Sequence, residues 1–168
     1  VLSINLTHCG NDFKIPLARY ALREKKVRPA LRIVPTVRMA TTALRKGAQV
    51  VRTPKELAEK VDLIITCLPS TKVCAEVMEA DNGVIKGLSE NKIWLEMSTT
   101  DEAEIKRLAD KVIKKKAIPL DGPVSGGCHR AATGNIAIFV GGDRNAFEKI
   151  LPILSIMGRK ILHTGELG

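Results

Sequence analysis

Val61-Asp62-Leu63-Ile64-Ile65-Thr66-Cys67-Leu68-Pro69-Ser70 is the stretch on which the fold turns. Residues 62–67 read as one continuous apolar strand, and Leu68-Pro69 ends it. Such a strand is dry on both faces, which is the condition inside a parallel sheet covered by helices. Upstream, Thr53-Pro54-Lys55-Glu56 is a helix start, with Thr53 as cap, Pro54 at the first helical position and Glu56 three residues after the cap. Before it come a short strand at 48–51, a helix opened by Pro35-Thr36 and closed by Gly47, a strand at 30–34, a helix at 15–26 and a first strand at 1–6.

Downstream, residues 72–79 are helical until Asp81-Asn82-Gly83 breaks them, and 93–95 form another buried strand. Residues 100–115 form a strongly periodic helix with Thr100 as cap and acids in its first turn. Its Lys114-Lys115-Lys116 end complements the negative helix C-terminus and needs no partner. A strand at 117–120, a strand at 135–140, a helix at 145–156 and a last strand at 160–163 complete the chain. Its 168 residues suffice for one domain with a real core and are too few for two ordinary ones. The alternation of strand and helix calls for an α/β fold: a doubly wound, mostly parallel sheet with helices on both faces, a single Rossmann-type domain over 1–168.

Asp121-Gly122-Pro123-Val124-Ser125-Gly126-Gly127 follows the strand at 117–120, where an open α/β sheet presents its strand ends to a ligand. Pro123 stiffens the turn, Gly126 and Gly127 let bare N–H groups approach an anion, and Ser125 adds a hydroxyl donor. Several aligned donors neutralise a carboxylate together. Taken alone, the glycine pair reads first as a tight turn with no ligand.

These seven residues resemble the substrate-binding signature of the β-hydroxyacid dehydrogenases. That family includes 3-hydroxyisobutyrate dehydrogenases, tartronate semialdehyde reductases and glyoxylate reductases, with 6-phosphogluconate dehydrogenase as a more distant relation. The stretch 61–70 is similar to the family's fourth strand, and Glu96-Met97-Ser98-Thr99 to the strand end that carries its cofactor threonine. Gly134-Asn135-Ile136-Ala137-Ile138-Phe139-Val140-Gly141-Gly142-Asp143 and Ile156-Met157-Gly158 also fit, so that the likeness is ordered from about Ala43 to Gly168 and poor over 1–42. It implies NAD or NADP as cofactor, with Gly10, Leu68, Pro69 and Thr99 as cofactor contacts. Ser125, Gly126 and Gly127 would hold the carboxylate of a small 3-hydroxy acid or semialdehyde. Val73 stands where many relatives have Asn.

The glycine loop departs from the family. Gly-x-Gly-x-x-Gly after the first strand lets a pyrophosphate approach a helix N-terminus, but the segment here is Asn5-Leu6-Thr7-His8-Cys9-Gly10 and only Gly10 matches. No carboxylate falls near Val34 to meet a ribose hydroxyl, whereas Arg32 and Arg38 suit a 2′-phosphate. The resemblance places the family's general acid, a lysine, on a helix beyond Gly168. No catalytic residue is therefore expected within the chain, the helical domain that completes the pocket and the usual homo-oligomer is expected to be absent, and the start at Val1 reads as a trimmed chain.

Residues 1–60 hold 13 Lys/Arg and 4 Asp/Glu, while 61–168 hold 14 of each, so the whole net charge of +9 lies in the poorly matching part. A basic region of this kind fits a solvated surface, an anionic cofactor, a membrane surface or nucleic acid. The alternative function is thus a non-catalytic homologue that binds nucleic acid or chromatin through its N-terminal region. Few aromatics interleave the basic residues, which argues against a single-strand stacking surface. No apolar run approaches the roughly 20 residues of a membrane span. Cys9, Cys67, Cys74 and Cys128, even with His8 and His129, match no common zinc spacing and read as reduced thiols of an intracellular protein, cytoplasmic or mitochondrial. His129 and Arg130 read as a solvated loop beside the signature, and His163 as structural.

Overall fold

The computed structural model describes residues 51–168, the side chain of Cys128 excepted, together with three short strands before them. These are β1 (Ile4–Asn5), β2 (Arg32–Ile33) and β3 (Gln49–Val50). The helices expected at 15–26 and 36–46, and Gly10, lie outside the described residues. Then follow α1 (Pro54–Glu59), β4 (Leu63–Thr66), α2 (Thr71–Glu79), α3 (Val84–Gly87), β5 (Ile93–Glu96), α4 (Glu102–Ile113) and β6 (Ile118–Asp121). The C-terminal part holds β7 (Val124–Ser125), α5 (Gly127–Ala132), β8 (Ile136–Gly142), α6 (Arg144–Met157) and β9 (Gly158–Gly165).

The main sheet runs β1-β4-β5-β6-β8-β7, with β9 paired to the other edge of β8. The pairs β1–β4, β4–β5 and β5–β6 are parallel, in a register that aligns Thr66 with Glu96 and Glu96 with Asp121. Three strands therefore end side by side. Beyond them β8 runs antiparallel to β6 and β7, and β9 runs parallel to β8. β2 and β3 form a separate parallel pair.

Alternation along each strand distributes side chains between two cores. Leu63, Ile65, Ile93, Leu95 and Leu120 face the layer built by Phe147, Ile150 and Leu154 of α6. Ile64 and Trp94 point the other way, into Leu57 of α1, Met78 of α2 and Ile105, Leu108 and Val112 of α4. All four side chains of β4 and of β5 are buried, as a strand covered on both faces requires.

Local chemistry sets the ends. Thr53 accepts from the Glu56 N–H and Pro54 opens α1, as its sequence predicts. Ser70 caps α2, accepting from the Val73 N–H. Lys92, at the entrance to β5, donates to the carbonyls of Ala58, Glu59 and Val61 and so closes the C-terminal end of α1. Four expectations need correction. The cap of α4 is Asp101, which accepts from the Ala103 and Glu104 N–H groups, and not Thr100. A one-turn helix, α3, follows Asp81-Asn82-Gly83 where no element was expected. The last strand spans eight residues, because its pairing with β8 extends it at both ends. His129 and Arg130 lie in the exposed short helix α5 and not in a loop.

Candidate functional site

Parallel strands β4, β5 and β6 deliver their carboxyl ends to one edge of the sheet, the position at which open α/β sheets bind ligands. A cavity of about 250 Å³ opens there, lined by Glu96, Ser98, Thr99, Thr100, Asp121 and Pro123 among others. Thr99 is exposed at its mouth. The Thr100 hydroxyl is buried and has no hydrogen-bond partner among the described residues. That orphan follows from the shift of the cap to Asp101, since a capping Thr100 would spend its oxygen on the helix.

A polar cluster lies beneath the cavity. Among the described residues the buried polar side chains are Thr66, Glu96 and Ser98. Glu96 Oε2 accepts from the Thr66 hydroxyl and, at 3.0 Å, from the Cys74 thiol, while Oε1 accepts from the Ser98 N–H at 2.6 Å. The Trp94 indole N–H donates to the Thr66 hydroxyl at 2.8 Å, and the Leu68 N–H to the Ser98 hydroxyl at 2.6 Å. Burial, and secondarily the charge of Glu96, push the Cys74 thiol far above its ordinary value, so it remains a protonated donor. Sequence reasoning gave Glu96, Ser98 and Thr66 no role. The available signal was an acid at the end of Ile93-Trp94-Leu95, in a strand whose other positions are all apolar.

Leu68 directs its side chain into the core beside Trp94, leaving half-buried Pro69 as the surface of that loop. Ser98 ties this loop to the one that carries Thr99, so Leu68, Pro69 and Thr99 share one edge. The seven-residue signature is a strand end, then β7, then the start of α5, and not the simple turn that its glycines alone suggest. Ser125 is exposed, and Gly126 and Gly127 have φ of 137° and 71°, a region open to glycine and strained for other residues. A Cβ on Gly126 would lie 3.1 Å from Cδ of Arg130, whereas one on Gly127 would meet nothing within 4 Å. Space for a close ligand therefore exists at Gly127. These three residues lie beyond the lining of the cavity, while Asp121 and Pro123 of the same signature belong to it.

Polar groups that could meet a dinucleotide end are the Thr99 hydroxyl and, buried beside it, the unpartnered Thr100 oxygen, with Pro123 as an apolar wall and the Glu96, Glu102 and Asp121 carboxylates in the same lining. Among the described residues no cluster of three metal-ligating side chains occurs, and no helix is long and apolar enough to cross a membrane.

The mitochondrial 3-hydroxyisobutyrate dehydrogenase of Rattus norvegicus is 39% identical over 122 residues, which are 73% of this chain and 36% of the rat protein. The uncharacterized oxidoreductase YkwC of Bacillus subtilis is 36% identical over 140 residues, 83% of this chain and 49% of that protein. The chain thus spans from about a third to about half the length of these relatives. Two solved structures share the fold. Mycobacterium tuberculosis 3-hydroxyisobutyrate dehydrogenase with L-serine has a TM-score of 0.84 at 23% identity, over 99% of this chain and 54% of that one. Psf3 in complex with NADP+ and 2-OPP has a TM-score of 0.88 at 20% identity, over 99% and 57%. Residues 31–165 match the family described as the NAD binding domain of 6-phosphogluconate dehydrogenase, most of the length of the chain, and this chain belongs to that family.

Proposed function

We propose that the chain is the NAD(P)-binding part of a 3-hydroxy acid dehydrogenase or semialdehyde reductase. The observation that carries the reading is the meeting of Thr99 and Thr100 with Asp121 and Pro123 of the substrate signature around one cavity at the strand ends. A bound nicotinamide supplies the hydride, which is the cofactor's own chemistry. The chain's residues bind and orient. Pro69 and the Thr99 hydroxyl border the nicotinamide end, and the Thr100 hydroxyl is a further polar contact for it. Ser125, with the backbone N–H groups of Gly126 and Gly127, holds the substrate carboxylate, for which the open approach at Gly127 leaves room.

The proton that the developing alkoxide needs comes, in this reading, from the lysine that the family resemblance places after Gly168, on a helical domain that also supports a homo-oligomer. In a protein that carries these residues together with that lysine, Ser125→Ala is expected to abolish turnover of 3-hydroxyisobutyrate or glycerate. Turnover retained in Ser125→Ala would overturn the assignment of Ser125 to the substrate carboxylate. Calorimetric titration with NAD and NADP tests the cofactor half of the reading, and heat-silent titrations with no change in melting temperature would remove it.

A further inference from the structure

A buried carboxylate is expensive to retain, and an apolar side chain would fill the same place more cheaply unless the acid performs a task. Glu96 is 1% exposed, and among the described residues its side chain bonds Thr66, Cys74 and the Ser98 N–H, none of them a Lys or Arg. All three donate, so the carboxylate serves purely as an acceptor. Its own backbone carbonyl accepts from the Gly122 N–H at 2.6 Å. One residue thus touches the end of β4 through Thr66, the helix α2 through Cys74, the Thr99 loop through Ser98 and the substrate signature through Gly122.

We propose that Glu96 is the positioning residue of the cofactor pocket, holding the Leu68-Pro69, Ser98-Thr99 and Gly122-Pro123 segments at a fixed mutual spacing. This rests on the dinucleotide reading above. The chain of contacts is continuous: Glu96 orients Ser98 through its N–H, and the Ser98 hydroxyl receives the Leu68 N–H, so the bond that joins the two cofactor loops is held in place by a single carboxylate. A side chain of that size without acceptors would fill the space but leave the buried Thr66, Cys74 and Ser98 donors unpaired. Alignment of the Leu68 and Ser98 loops requires the acceptors, while the Gly122 segment is held by the backbone carbonyl of Glu96.

The test is a titration of the full chain with NAD and with NADP, run beside melting curves, on wild type, Glu96→Leu, Glu96→Gln, Ser98→Ala and Leu154→Ala. Glu96→Leu keeps the volume and removes both acceptors; Glu96→Gln keeps one of them. Leu154 is fully buried against the opposite sheet face, so Leu154→Ala measures what a loss of stability alone does to binding. Expected is a loss of affinity of about tenfold or more in Glu96→Leu, a similar loss in Ser98→Ala, partial recovery in Glu96→Gln, and a change below about twofold in Leu154→Ala despite its lower melting temperature. A double variant carrying both Glu96→Leu and Ser98→Ala should bind no worse than Glu96→Leu, because both act through one linkage. Should Glu96→Leu fail to fold, Ser98→Ala and Glu96→Gln decide the matter by the same criteria. Glu96→Leu and Ser98→Ala proteins that bind within about twofold of a wild type that does bind would overturn the proposal and leave the dinucleotide reading standing. Affinity that merely tracks melting temperature across the set, Leu154→Ala included, would also overturn it. A wild type that binds neither dinucleotide would overturn the dinucleotide reading and the proposal with it.

Discussion

Thr100 and Asp101 are neighbours whose side-chain oxygens can each cap a helix, and the one that caps α4 determines what the other is free to do. Asp101 takes the Ala103 and Glu104 N–H groups, which leaves the Thr100 oxygen buried beside the cavity. Asp101→Ala should therefore lower stability by about 1 kcal/mol, the usual worth of a cap. Thr100→Val should cost less than about 0.5 kcal/mol or be neutral, because a buried oxygen without a partner contributes nothing in the unliganded chain. Urea melts of both variants check this, and the opposite ranking would return the cap to Thr100. The residue types were legible in the sequence, as was a helix start. The choice between two adjacent caps was not, because it depends on the path by which the chain leaves β5.

Between elements, α2 and α4 are clasped by charge. Arg107 donates in bidentate fashion to Glu79, at 2.8 and 2.6 Å, and also bonds Glu104, while Lys111 reaches the same Glu79 carboxylate. Arg107 first, and then Lys111, hold Glu79 at about 2 against its ordinary 4.5. A carboxylate depressed on folding contributes stability that is fully present above about 4.5 and is lost as pH falls towards 2. The pair is partly exposed, with Arg107 at 41% and Glu79 at 27%, so water and salt reduce its worth to about 0.5 to 1 kcal/mol. Glu79→Gln should lower the melting temperature at pH 7 and in low salt, with the difference from wild type shrinking between pH 4.5 and 2. In about 1 M salt, where screening reaches within a few ångströms, the difference should also fall. A gap that stayed constant across that pH range would show that Glu79 acts through packing alone. The periodicity of α4 was plain in the sequence; its partner across the surface was not, since the clasp joins residues 28 positions apart.

For the molecule as a whole, the sheet order brings β4, β5 and β6 to a common edge, and the candidate site exists only because they end in register. The family resemblance sets Asn5 and Thr7 against two of the three glycine positions of the usual phosphate loop. Dinucleotide affinity is accordingly expected at about 0.1 mM or weaker, roughly 5 to 6 kcal/mol of binding free energy. Replacing both Asn5 and Thr7 by Gly should tighten it, as measured by calorimetry, because the backbone can then approach the pyrophosphate. An unchanged constant would mean that the phosphates are held elsewhere.

Although the short elements α3, β7 and α5 were not legible in it, the amino-acid sequence by itself determined the fold class and the order of the longer strands and helices from Thr53 onwards. These are local properties: an apolar run dry on both faces at 62–67, a cap followed by proline at Thr53-Pro54, and a glycine pair after a strand. Each acts within a few residues along the chain, so its physics can be read there. Only the tertiary structure decided that β8 runs antiparallel to β6, that the Leu68 side chain faces the core, and that Glu96 joins Thr66, Cys74, Ser98 and Gly122. Those outcomes depend on register between strands about 30 residues apart, and on which groups burial compels to find partners, and neither is encoded at any single position.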